Sequence, residues 1–267
     1  MKNTAYNRSQ YLKMLKRENQ LVRFFQITLI VIILVFWEFA AQTGIIDPFI
    51  VSSPIRIAKT FVMMLKSGLV IHILYTVGET VAGFLIGVLL GLVIAVALWF
   101  SNFANRVFAP YLVVLNSLPK IALGPVIIVW AGAGAGAIIT MAVAISLIVT
   151  VMELSHGFYS TDVNLLITVQ SFGATKWESF KKIVMPYNIP IFFQSLKVNI
   201  GLSLVGVIAG EFLVSKAGLG YLIVYAGQVF KMDLVMMSVV LLGFIAFLMY
   251  SAVNYLEKIA KKLVNHV

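Results

Sequence analysis

The chain has 267 residues, 61% of them hydrophobic and 11% charged, with a mean hydropathy of +1.01. Soluble domains hold about 45–50% apolar and about 25% charged residues, so the bilayer is the expected solvent. Disorder is excluded by the hydrophobicity, and the absence of Cys excludes a disulfide-stapled module, thiolate nucleophiles and Cys-based zinc sites, while a net charge of +10 gathered beside apolar runs fits membrane topology and implies no nucleic-acid partner.

Residues 1–23 form a basic cytoplasmic segment, with Lys2, Arg8, Lys13, Lys16, Arg17 and Arg23 against Glu18 alone. The apolar run 24–41 exceeds a signal-peptide core of about 7–15 residues and no small-x-small cleavage site precedes Asp47-Pro48, so it reads as an uncleaved first transmembrane helix. An external loop follows over 42–71. Within it, Ser52-Ser53-Pro54 starts an amphipathic helix to Leu65, expected as an interfacial element without chemistry of its own.

Residues 72–257 carry five further apolar windows, His72 to Phe100, Phe108 to Trp130, Ala135 to Met152, Ile189 to Val214 and Leu234 to Tyr255, before a basic tail over 258–267. The fold class is therefore an all-α membrane protein with six transmembrane helices. With the N-terminus inside, thirteen Lys and Arg fall on the cytoplasmic side and five outside, which predicts N-in and C-in termini.

Gly83, Gly87 and Gly91 share one helix face, and Gly206 and Gly210 repeat the spacing, both signals of close backbone packing. In the third span, Leu118-Pro119-Lys120 and Gly124-Pro125 predict a kink or a break. Irregular backbone at membrane depth survives where it is buried or lines a wet cavity, so Asn116, Ser117, Pro119 and Lys120 mark either a translocation route or a simple proline kink. Gly132, Gly134 and Gly136 lack the Lys and Ser/Thr of a phosphate-binding loop and read as an external turn.

The insertion over 155–187 is polar and patterned. Asp162 caps a short helix through Gln170, Gly173 supplies a sharp turn, and Thr175 with Glu178 forms a capping box ahead of Phe180, Ile183 and Val184. Two short helices with a tight bend lie across the inner face and leave apolar side chains in need of a partner.

Glu79, Lys120 and Lys197 fall near mid-depth of their spans, where charges are paired, wet or functional. A Glu79–Lys197 pair would leave Lys120 beside the route and suit an anionic solute; alternatively both lysines snorkel or bind carbonyls. Glu211 sits either at an external gate or as a cap for the short helix around Ser215. His72, His156 and His266 are scattered, so no metal site is expected.

Gly173, with Ile183-Val184-Met185-Pro186 beginning ten residues later, resembles the EAA-loop signature of permease subunits in binding-protein-dependent ABC importers. From His72 to Leu256 the chain is similar to the nitrate, sulfonate and taurine permease branch, through Leu115-Asn116-Ser117-Leu118-Pro119, Ser171-Phe172-Gly173-Ala174-Thr175-Lys176-Trp177 and Gly210-Glu211-Phe212 leading to Gly218-Leu219-Gly220-Tyr221. The family's Glu-Ala-Ala falls on Ile167-Thr168-Val169 and its usual Leu before the proline is Met185.

The resemblance implies the MetI-like architecture of a type I ABC importer permease. Ile167 to Val169, Ser171 to Thr175, Trp177, Ile183 and Pro186 would couple to a separate ATPase, with ATP-Mg bound there and no cofactor on this chain. It further implies a second permease copy, an extracytoplasmic substrate-binding protein and a multi-pass place in the bacterial inner membrane. The branch carries small anions such as nitrate, sulfonates and taurine, with relatives for vitamin precursors such as pyrimidines. An ion-coupled secondary transporter should show internal repeats with paired broken helices, and an intramembrane enzyme should show paired acids, a metal cluster or a nucleophile with its base; neither pattern is present in the sequence.

Overall fold

Long apolar stretches with few helix breakers dictate long helices, and the computed structural model, which describes residues 8–264, is helical throughout its regular elements. Lys2 and His266 lie outside the described residues. The first helix, α1, runs Arg8–Gln42, followed by the short α2 (Pro48–Val51) and α3 (Pro54–Lys66). The core then comprises α4 (Leu69–Phe100), α5 (Asn102–Ser117), α6 (Gly124–Ala131) and α7 (Ala135–Tyr159). The insertion over 155–187 contains α8 (Val163–Ser171), α9 (Lys176–Ser179) and α10 (Met185–Tyr187), and the described chain ends with α11 (Ile189–Val214), α12 (Leu219–Gln228) and α13 (Met232–Val264).

Among the described residues five helices are long and apolar enough to cross a membrane, and a sixth crossing is counted only if a broken pair is taken as one span. In that pair α5 stops at Ser117, a 3-10 turn covers Lys120–Leu123, and α6 leaves at 85°. Proline explains the break, because Pro119 and Pro125 donate no backbone hydrogen bond and Pro125 is suited to the first turn of a new helix.

The centre of the bundle is α7, packed along α4 on one side and α11 on the other. Small residues permit this. A Cβ on Gly91 would lie 2.6 Å from Thr150 Cβ, and one on Gly206 would lie 2.7 Å from the Ala142 Cα, so the helices meet almost backbone to backbone.

The start of the amphipathic helix is held against the bundle. Ser53 caps α3, which packs against α13 and α1, and Arg56 reaches Asp233 at 2.9 Å while Ser52 Oγ donates to the same carboxylate at 2.7 Å. Arg56, on the basic face of α3, is thus tied to α13.

Candidate functional site

The insertion between α7 and α11 folds as a braced elbow. Asp162 accepts the Asn164 N–H at 2.9 Å to start α8, and Gly173 ends the turn with φ +87°, a left-handed value that side chains resist. There the Gly173 N–H donates to the Gln170 carbonyl at 2.9 Å and the Ala174 N–H to Val169 at 3.1 Å. The Glu178 N–H then donates to Thr175 Oγ1 at 3.2 Å, and the Thr175 N–H returns a bond to Glu178 at 2.9 Å. This reciprocal box, through the Thr175 backbone N–H first and its hydroxyl second, holds the Glu178 carboxyl below the usual carboxylate range.

Beyond the box, Phe180–Val184 is a π-turn that leads into Pro186. Proline withholds a helix donor and crowds the carbonyl four residues before it, and the wider turn absorbs the mismatch. The two ends of the insertion are tied together, since Asn188 Nδ2 donates to Thr161 Oγ1 at 2.8 Å.

One face of the elbow is open. Phe172 is 86% exposed, Trp177 58% and Ile167 56%, and a cavity of about 300 Å³ lies between Val169, Phe172, Ala174, Glu178 and Lys182. Thr168, Ser171, Thr175 and Pro186 are also at least partly open, while Ile183 is half-buried at the cavity edge. The opposite face is bolted to the bundle: Phe180 and Val184 are buried with Trp99, Leu154 and Phe158. Lys176 Nζ donates to the Phe100 carbonyl at 2.8 Å and lies 5.4 Å from the Trp99 ring. The sequence reading did not single out Trp99, Phe100 and Phe158; the signal lay in two aromatics ending a span opposite Trp177 and Phe180 at i, i+3.

The predicted pathway residues divide into separate places. Asn116, Ser117, Pro119 and Lys120 share the α5–α6 break, where Lys120 Nζ donates to the Asn116 carbonyl at 2.9 Å and to its side-chain oxygen at 3.2 Å. A cation there stabilises the exposed carbonyls ending α5. Among the described residues no carboxylate forms an ion pair with Lys120.

Of the two readings for the charges within the spans, the Glu79–Lys197 pair does not form, while Lys120 binds a carbonyl as the alternative has it. Lys197 instead pairs with Glu257 of α13, which also takes Lys261 at 2.7 Å, at the end of the bundle that bears the C-terminal lysines. Glu79 is buried within α4 and, among the described residues, forms no ion pair. Of the two readings for Glu211, the capping one matches the geometry: its carboxylate accepts the Gly220 N–H at 2.6 Å in the first turn of α12, the short helix that follows Ser215.

A family model described as the binding-protein-dependent transport system inner membrane component matches residues 87–265. The chain is 26% identical over 231 residues to the riboflavin transport system permease protein RibX of Chloroflexus aurantiacus, covering 86% of both. It is 25% identical over 227 residues to the formylaminopyrimidine transport permease protein ThiX of Halalkalibacterium halodurans, covering 85% of this chain and 90% of that one. The putative aliphatic sulfonates transport permease protein SsuC of Bacillus subtilis is 23% identical over 228 residues, with 85% and 83% covered. In fold, the inward-facing MetNI methionine ABC transporter superposes with a TM-score of 0.64 at 18% identity, covering 71% of this chain and 94% of that one.

Proposed function

The chain belongs to the family of binding-protein-dependent transport system inner membrane components, a multi-pass membrane permease family, and from that premise we propose that it forms half of the translocation pathway of an ATP-driven importer. The observation that carries the reading is the elbow of α8 and α9, apolar and open on one face and clamped by aromatics on the other. A surface of that kind transmits force when a partner grips it. A separate ATPase carrying ATP-Mg docks on Ile167, Phe172, Ala174 and Trp177, and its closure moves the ends of α4 and α7 through Phe180 and Lys176. Ile167-Thr168-Val169 makes this an apolar grip without a glutamate.

The solute is a small anion of the sulfonate, nitrate or taurine kind, delivered by an extracytoplasmic binding protein. The similarity to an aliphatic sulfonate permease supports this, and so does Lys120, a cation without a carboxylate partner among the described residues at the broken span. The similarity to a formylaminopyrimidine permease favours a second solute class, a vitamin precursor.

The test is reconstitution of the permease with its ATPase and binding protein in vesicles. Uptake of a sulfonate that requires ATP, and that is lost in Lys120→Ala with ATPase activity retained, is the expected result. Uptake driven by a proton gradient without the ATPase would overturn the importer assignment, and uptake of pyrimidines in preference to sulfonates would move the solute to the second class.

A further inference from the structure

Three consecutive backbone N–H groups open α12, and each is held by a side chain of α4 or α11. The Gly218 N–H donates to His72 Nδ1 at 3.1 Å, the Leu219 N–H to Thr76 Oγ1 at 2.8 Å and the Gly220 N–H to Glu211 at 2.6 Å. Thr76 closes the set by donating its own hydroxyl to the other Glu211 oxygen at 2.6 Å. The first amides of a helix have no partner within it, and here all three find acceptors across the bundle. His72 and Thr76 lie one turn apart on α4, so a single helix face supplies two of them.

The three acceptors differ in what acid does to them. The Thr76 hydroxyl does not titrate, and Glu211 is 1% exposed, closed off in the core. His72 is only half-buried, and its ring lies flat on Tyr221 with centroids 6.0 Å apart and planes 9° from parallel. An imidazole that accepts at Nδ1 is neutral with its proton on Nε2, whereas the imidazolium donates at both nitrogens and has no lone pair for the Gly218 N–H. One proton turns this hydrogen bond into an encounter of two donors.

Few charged or titratable groups surround the ring, and among the described residues His72 enters no ion pair. Tyr221 covers it from α12, Glu211 of α11 stands beyond Thr76, Lys216 lies in the corner before α12, Lys66 ends α3, and Tyr75 and Glu79 follow on α4 itself. On α7, Glu153, His156 and Tyr159 sit beside the far end of α4, since Gly83 packs on Ala142 and Gly91 on Thr150. Arg106 and Tyr111 belong to α5, which follows that far end, and Asp233 of α13 is taken by Arg56.

We infer that His72 is an acid-operated latch on the α11–α12 corner: neutral, it pins Gly218 to α4, and protonated it lets go while Thr76 and Glu211 keep their amides. His72 is a positioning residue, because it acts through the backbone of Gly218. The freed stretch is Ser215 to Gly218, the joint between two helices, with Gly218 at φ +114°. Nothing in the latch depends on which solute crosses the bilayer or on what drives it.

Amide hydrogen exchange of the full-length chain in lipid vesicles reads the latch at Gly218. Between about pH 8 and about pH 5, where an imidazole takes up its proton, the Gly218 protection factor is expected to fall about tenfold, the weight of one hydrogen bond, while that of Gly220 holds. In His72→Asn the side-chain oxygen takes the place of Nδ1 and does not titrate, so Gly218 protection should stay high across the range. His72→Phe keeps a ring on Tyr221 without the acceptor and should be low throughout. A flat wild-type profile, a fall that persists unchanged in His72→Asn, or full protection in His72→Phe would overturn the proposal. Imidazole ¹⁵N spectra of a chain carrying His156→Gln and His266→Gln leave His72 itself untouched: its proton is expected on Nε2 at about pH 8, and a proton on Nδ1 would overturn the assignment.

Discussion

Gly218 has φ +114°, and a Cβ added to it would run into the Glu211 carboxyl. Left-handed backbone costs other residues roughly 1–2 kcal/mol, and the collision adds to it. Gly218→Ala is therefore expected to lower the thermal midpoint of the permease in lipid, and an unchanged midpoint would show that the α11–α12 corner is not held as described. Glu178 makes a pH-dependent contribution of definite sign. Its carboxyl is held below its ordinary value of 4.5, so its part in bracing the elbow is complete above that pH and is lost as the pH falls through the lower folded value. The protection factor of the Thr175 amide, which donates to the Glu178 carboxylate, should fall on acidification in wild type, and should already be low and free of that pH-linked fall in Glu178→Ala.

Among the elements, the elbow and the broken span were the most readable in the sequence, because capping boxes, left-handed glycines and prolines are local signals whose geometry follows from the residue itself. What faces what across the bundle was not readable. Depth along a span follows from counting residues, but the direction a side chain faces depends on packing, so Glu79 and Lys197 looked like partners at similar depth. The true partner, Glu257, stood just beyond the apolar window ending at Tyr255 and belonged to a helix that continues to Val264. Glu257→Lys or Lys197→Glu alone should destabilise the packing of α11 on α13, and the double swap should recover most of the loss in thermal midpoint; failure to recover would mean that the two residues do not interact. The aromatic bolt was hidden for the same reason, since Trp99 and Phe158 reach Phe180 only when three segments of the chain converge. For the elbow itself, Ala174→Cys or Trp177→Cys should crosslink to the ATPase in a nucleotide-dependent way, and crosslinks that never form would detach the elbow from the motor.

Across the whole molecule, α5 buries no residue against the rest of the chain, and α1 leaves most of its length uncovered. A second copy would supply cover for α5 most simply, and the expected result is two permease chains per complex by native mass spectrometry; a single chain would leave α5 to another partner. Orientation is tested by labelling: Lys216→Cys should react with an impermeant reagent from outside, and Lys182→Cys only after the membrane is opened. The small-residue contacts joining α4, α7 and α11 bear on how such a machine moves. Helices whose main chains touch have no slack in which to slide past one another, and a Cβ at Gly206 would already strike Ala142. The trio therefore forms a single stiff lever: a push at the aromatics around Phe180 would reach the far end of the three helices with little lost, and the pivot would lie elsewhere, at the bent α5–α6 joint.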